Sequence, residues 1–188
     1  EGTIMAFAIE LTNIEVKDLL KKALEDKVFD AVLGLFWDKT KSTVSLSIKS
    51  DVHNLDNIEV LCPSMPVQAA RVISNIKFTE TDLKVACVVK PCEMRAVVEL
   101  IKLKQIMPEK LFFISMDCGG VLEPARFKKL NVDGKSPVKN LLDAYSEFKD
   151  FSYVTDSPRF ACKVCDKCVP KLSDLRLRSY GKVKYLES

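Results

Sequence analysis

In the stretch ACKVCDKCVPK, cysteines recur at three-residue steps, at Cys162, Cys165 and Cys168. Thiolates at such short, regular spacing can grip one inorganic centre, as in the ferredoxin run C-x2-C-x2-C-x3-C-P. The first three positions match here. Leu172 stands where the fourth thiol would fall, and Pro170 arrives early. A four-ligand site therefore needs a thiol from elsewhere in the chain. Of the other four cysteines, Cys87 sits inside an apolar run and reads as core packing. Cys62 precedes Pro63 and has no partner by spacing. Cys92 and Cys118 remain as candidates, and a 4Fe–4S cluster is the expected occupant. A zinc site would want a second C-x2-C knuckle or paired histidines. The only histidine, His53, stands in a polar stretch. A redox dithiol needs fewer than three evenly spaced thiols.

Two strands and a helix must place the remote thiols. LKVACVV is a short β-branched run and predicts a buried strand. Lys90-Pro91 breaks it. CEMRAVVELIKLKQI then sets Met94, Val97, Val98 and Ile101 at helical spacing. After Pro108, KLFFISMDC predicts a second buried strand, ended by Gly119-Gly120. Strand, crossover helix, strand is a βαβ unit with parallel strands. Cys92 and Cys118 then follow the C-terminal ends of two parallel strands, the edge where open α/β sheets bind ligands. Neighbouring strands lie about 4.8 Å apart. Cys92 also opens a helix, where free N–H groups favour a thiolate. Lys90, Pro91, Glu93 and Arg95 share this strand end and are candidates to approach a flavin or its phosphates. The plainer readings are a solvated Lys90 and an Arg95–Glu99 ion pair at i, i+4.

Elsewhere, Thr12-Asn13 caps an expected helix over 14–27. FDAVLGLFW (29–37) and STVSLSIK (42–49) read as paired strands, residues 50–58 as a loop, and Pro66 as the first turn of a helix through about Ile76. Helices are expected over 124–130 and 138–148, and an edge strand over 151–155. The fold expected is α/β: a mixed sheet with a parallel βαβ unit flanked by helices, plus a cysteine-rich C-terminal tail. Residues 1–157 would form a flavin- or coenzyme-binding type of domain, and 158–188 an iron–sulfur-binding tail packed on it.

A chain of 188 residues supports one such core. Seven cysteines, an odd number with three tightly spaced, argue against a secreted disulfide scaffold and for a reducing cytoplasm. No apolar run reaches the roughly 18 residues of a membrane span. No signal peptide is expected from Glu1-Gly2-Thr3, and the start at Glu1 fits a piece of a longer chain. The net charge of +3 gives no reason to expect nucleic acid. The tail is basic, with eight Lys/Arg between Arg159 and Lys184 against Asp166 and Asp174. These cations can neutralise an anionic cluster, attract an acidic partner or simply be solvated. Neither G-x-G-x-x-G nor a Walker loop occurs.

LCPSMPVQAARVI, VACVVKPCEMRAVVELIKLKQI and LFFISMDCGG, with CKVCDKCVPKLSDL in the tail, resemble the β-subunit family of coenzyme F420 hydrogenases and dehydrogenases, which includes formate dehydrogenase β subunits. Pro-Cys-Glu-x-Arg-Ala at 91–96 and Asp117-Cys118 carry most of the likeness, which runs over about 58–181. The resemblance implies an iron–sulfur flavoprotein subunit. It would pass electrons between a flavin (FAD or FMN) or coenzyme F420 and a 4Fe–4S cluster. Its partners would be a formate dehydrogenase or hydrogenase catalytic subunit, heterodisulfide reductase or ferredoxin. It implies Cys92, Cys118, Cys162 and Cys165 as ligands. Cys168 stands where many relatives have proline; spacing alone favours the 162/165/168 trio with one remote thiol. No catalytic side chain is implied, because the cofactors do the chemistry. A cluster relay without flavin and a structural zinc module are the alternatives.

Overall fold

The computed structural model of the protein describes residues 8–10, 13–76, 82–130 and 159–178. Six strands form one sheet: β1 (Ala8–Glu10), β2 (Ala31–Asp38), β3 (Thr43–Lys49), β4 (Val85–Val89), β5 (Leu111–Met116) and β6 (Leu175–Arg178). Their spatial order is β1-β6-β5-β4-β2-β3. Every neighbouring pair is parallel except the β2–β3 hairpin. The fold is thus mixed α/β with a parallel βαβ unit at its centre. All five residues of β4 are buried, as continuous apolar runs are in sheets covered on both faces.

The period of two along β4 divides the core. Ala86 and Val88 face one side with Ile114, Met116 and Leu177, against Val16, Leu20 and Leu24 of helix α1 (Asn13–Glu25). Val85, Cys87 and Val89 face the other side with Leu111 and Phe113. There they meet Ala70 and Ile73 of α2 (Ala69–Asn75) and Met94 and Val97 of α3 (Pro91–Lys102). Each such fully buried side chain contributes about 1.5–3 kcal/mol. Two shorter helices follow, α4 (Pro124–Lys129) and α5 (Phe160–Lys163).

Several element ends differ from the sequence expectation for identifiable reasons. Helix α1 stops at Glu25 because Lys27 takes φ 54°, and Val28 N–H turns back to Ala23 C=O at 2.9 Å. Helix α3 stops at Lys102, short of Ile106. Lys104 takes φ 57° there, and Gln105 N–H reaches Leu100 C=O at 2.8 Å. Ile106 is buried all the same, as the chain turns back into the core. Helix α2 starts at Ala69 rather than Pro66, since Gln68 is extended and the first turn is capped from another element. A 3-10 turn, Val52–Asn57, replaces the expected loop and buries Leu55. The helix over 138–148 and the strand over 151–155 lie outside the described residues.

Strands β1 and β6 had no counterpart in the sequence reading. β6 enters the sheet between β1 and β5, with Ile114 opposite Leu175 and Met116 opposite Leu177. The segment after Pro158 therefore supplies part of the sheet. Among the described residues no helix is long and apolar enough to cross a membrane.

Candidate metal centre

The register of β4 on β5 runs from Val85 opposite Leu111 to Val89 opposite Ser115. The two parallel strands therefore end at the same edge, and Cys92 and Cys118 each follow one of those ends. Cys92 is the second residue of α3, and Cys118 follows the last residues of β5; both are half-buried. Glu93 fixes the start of the helix. Its buried carboxylate accepts Lys90 N–H at 2.9 Å and, through its other oxygen, Ala69 N–H at 2.7 Å. One side chain thus caps α3 and α2 together.

The cysteine segment is pinned beside this edge at several points. Arg159 N–H donates to Val121 C=O at 2.9 Å, and its guanidinium donates to Met65 C=O at 2.9 Å. Cys118 N–H donates to Cys168 C=O at 2.9 Å. Arg95 donates to Lys167 C=O at 3.1 Å, so it ties α3 to the segment, while Glu99 pairs with Lys102 at 2.7 Å. Asp174 then accepts Phe113 N–H at 2.7 Å, which guides the chain into β6.

The thiols share one electrostatic neighbourhood. Burial, with the nearby Glu93 and Cys118, pushes Cys92 up to about 11. Burial raises Cys118 as well; the Cys162 and Cys165 sulfurs add to the rise and Lys90 opposes it. Burial raises Cys168, with Cys165 and the Asp117 and Asp166 carboxylates as further causes. Cys118 thus shares this neighbourhood with Cys92 and with the tail cysteines, Cys168 included, whose C=O accepts its N–H. Cys87 belongs to the core and Cys62, though near Lys90, is buried too; desolvation pushes each up to about 12. His53 lies on the 3-10 turn, away from this edge. All seven cysteines are free thiols.

Among the described residues no three His, Cys, Asp or Glu side chains converge tightly enough to hold a single metal ion. By donor type and number, the residues at this edge fit a four-iron cluster.

Lys90 is buried, and its ammonium donates to Cys62 C=O at 2.9 Å. It lines two crevices at the ends of β4 and β5. One, about 320 Å³ with its open mouth, is walled by Leu35, Leu46, Glu59, Ser64, Met65 and Val89 among others. The second, about 250 Å³, is walled by Val60, Cys62, Met116, Cys118, Gly119 and Gly120 among others. Buried Glu59 and Ser64 at this edge were not singled out from the sequence, whereas Asp117 entered only through the family likeness. Lone polar residues beside prolines or at a strand end carry no pattern that would mark them. Arg159 and Asp174 went unmarked for the same reason.

The family described as the C terminus of the coenzyme F420 hydrogenase/dehydrogenase beta subunit matches residues 82–186, more than half of this chain. The chain belongs to that family. The stretch matching the F420 hydrogenase/dehydrogenase β-subunit family contains β4, α3, β5, β6 and all five edge cysteines. The F420-dependent formate dehydrogenase 1 subunit beta of Methanococcus maripaludis is 28% identical over 184 residues, 88% of this chain and 47% of that protein. The F420-dependent formate dehydrogenase subunit beta of Methanocaldococcus jannaschii is 25% identical over 190 residues, 90% of this chain and 48% of that protein. The chain thus spans about half the length of these curated relatives. A chain of the F420-reducing NiFe hydrogenase complex from Methanosarcina barkeri superimposes with a TM-score of 0.49 at 15% identity, over 69% of this chain and 51% of that one.

Proposed function

We propose that this chain is the cluster-bearing part of an oxidoreductase β subunit, in which a 4Fe–4S cluster exchanges single electrons with a partner protein and a flavin or coenzyme F420 exchanges hydride. The observation that carries this reading is the gathering of Cys92 and Cys118, from two strand ends, with Cys162 and Cys165. The family resemblance favours this set; Cys168, whose C=O accepts Cys118 N–H at 2.9 Å, lies at the same edge and is the alternative fourth ligand. A bound cluster supplies one-electron chemistry at a potential set by its net charge, hydrogen bonds and exposure.

The residues here hold and tune. Lys90 places a buried cation beside an anionic ligand set, which favours the reduced state. Glu93 fixes the helix that presents Cys92. Arg95 holds the segment carrying Cys162 and Cys165 against that helix. The crevice of Val60, Cys62, Lys90, Met116, Gly119 and Gly120 is the place for the reacting end of a flavin or F420, since it opens beside Cys118. Pro91 sets the helix start at its rim. Seven free thiols suit a reducing cytoplasm. The partner would be a formate dehydrogenase or hydrogenase catalytic subunit, in keeping with what the relatives and the family are called, or heterodisulfide reductase or ferredoxin.

Anaerobic purification of the natural complex, followed by counts of iron, acid-labile sulfide, zinc and flavin, tests this. Iron and sulfide in equal amounts with one flavin are expected. Zinc alone overturns the reading. A full cluster with neither flavin nor F420 binding replaces it with a relay subunit.

A further inference from the structure

The turn that carries Cys162 also carries the most exposed large apolar side chains described in the protein. Phe160 is 80% exposed and Val164 is 68% exposed. They stand at i and i+4 across α5, on one side of the turn. Cys162 lies between them in the chain, and Cys165, itself exposed, comes directly after Val164. Leu172, 56% exposed, follows in the same segment. Single exposed apolar residues are ordinary, but a cluster on a functional segment marks a contact surface.

The unpaired charges around them are basic. Lys163, Lys167 and Lys171 are exposed. Of the two carboxylates nearby, Asp166 pairs with Lys167 at 2.9 Å, and Asp174 is spent on Phe113 N–H. Arg159 is turned inward onto Met65 C=O, with Glu123 at 3.5 Å. Lys163 and Lys171 are therefore left to project a positive field from a surface with an apolar centre. An apolar core with a charged rim is the anatomy of a specific interface, and the rim sets encounter rate more than affinity.

We infer that the Phe160–Leu172 face docks an electron-transfer protein that presents an acidic surface around its own redox centre. This rests on the reading of Cys162 and Cys165 as cluster ligands. Electron transfer weakens steeply with distance, so a partner must approach where the cluster comes nearest to solvent, and exposed Cys165 marks that place. The same turn thus grips the cluster on its inner side and meets the partner on its outer side. Small transient redox interfaces bury less than about 1,200 Å², so one turn with its flanking cations suffices as their centre.

The test uses the full natural protein with its cluster, purified anaerobically. A reduced two-cluster bacterial ferredoxin, itself acidic, is the probe, and stopped flow reads the second-order rate of cluster reduction. The rate is expected to fall tenfold or more as salt rises, as steered encounters do. It should fall similarly in Lys163→Glu/Lys171→Glu and in Phe160→Ser, with iron and sulfide content unchanged. Lys22→Glu, an exposed charge reversal on α1, should react as the native protein does. Native rates and native salt dependence in the tail variants overturn the docking face. So does a lack of hydroxyl-radical labelling of the Phe160 side chain in the natural chain without ferredoxin, because another part of the polypeptide then covers it. A native protein that holds no iron fails the parent reading, and the docking face falls with it.

Discussion

Cys118 is the residue on which the proposed cluster site turns, because it follows the end of β5 and its N–H holds the tail through Cys168 C=O. Cys118→Ser should leave the protein folded and without cluster, whereas Cys168→Ser should keep full iron and sulfide; metal and sulfide counts decide between them. Retention in Cys118→Ser with loss in Cys168→Ser would shift the ligand set to the evenly spaced trio. Lys90 acts through charge. Lys90→Met removes a buried cation beside the thiols, so the cluster potential should fall, by about 60 mV for each tenfold loss in the reduced-to-oxidised ratio. Redox titration reads this directly, and Lys90→Arg should restore part of the shift. Glu93 acts through geometry. Gln in its place offers one acceptor oxygen to two buried N–H donors, so Glu93→Gln should cost about 1–3 kcal/mol in denaturant unfolding.

At the scale of elements, the central βαβ unit was legible in the sequence because each part has a strong local signal. β4 is five apolar residues in a row, α3 has helical spacing and a proline start, and β5 repeats the strand pattern before paired glycines. Cys92 and Cys118 followed from that unit, since parallel strands share a C-terminal edge. Helix ends were less legible. Lys27 and Lys104 end α1 and α3 by taking positive φ, which lysine does not advertise as glycine would. The start of α2 was hidden because its cap, Glu93, lies 24 residues further along the chain. β1 and β6 were illegible for another reason. They are three and four residues long, and only their place in the sheet makes them strands. Arg95 shows the same limit at a single position: its bond to Lys167 C=O depends on where the tail lies, which no local pattern records.

On the scale of the whole molecule, β6 makes the cysteine segment part of the core. Leu177 is 1% exposed and packs with Met116, Val88 and α1. A chain ending at residue 172 should therefore lose its cooperative melting transition as well as its cluster, and Leu177→Asp in the longer chain should do the same. A truncated chain that melts as the longer one does would show the segment to be a separable appendage. The shared sheet also explains why the family's sequence pattern covers both the central strands and the tail as a single unit. The sheet order has one more effect. Among the described strands β1, the first of the six in the chain, pairs with β6, the last, and β6 parts it from β5. β1 must wait for that partner through the synthesis of everything between. The edge of the sheet beyond β5 is thus finished only after the cysteine segment, which precedes β6, has been made.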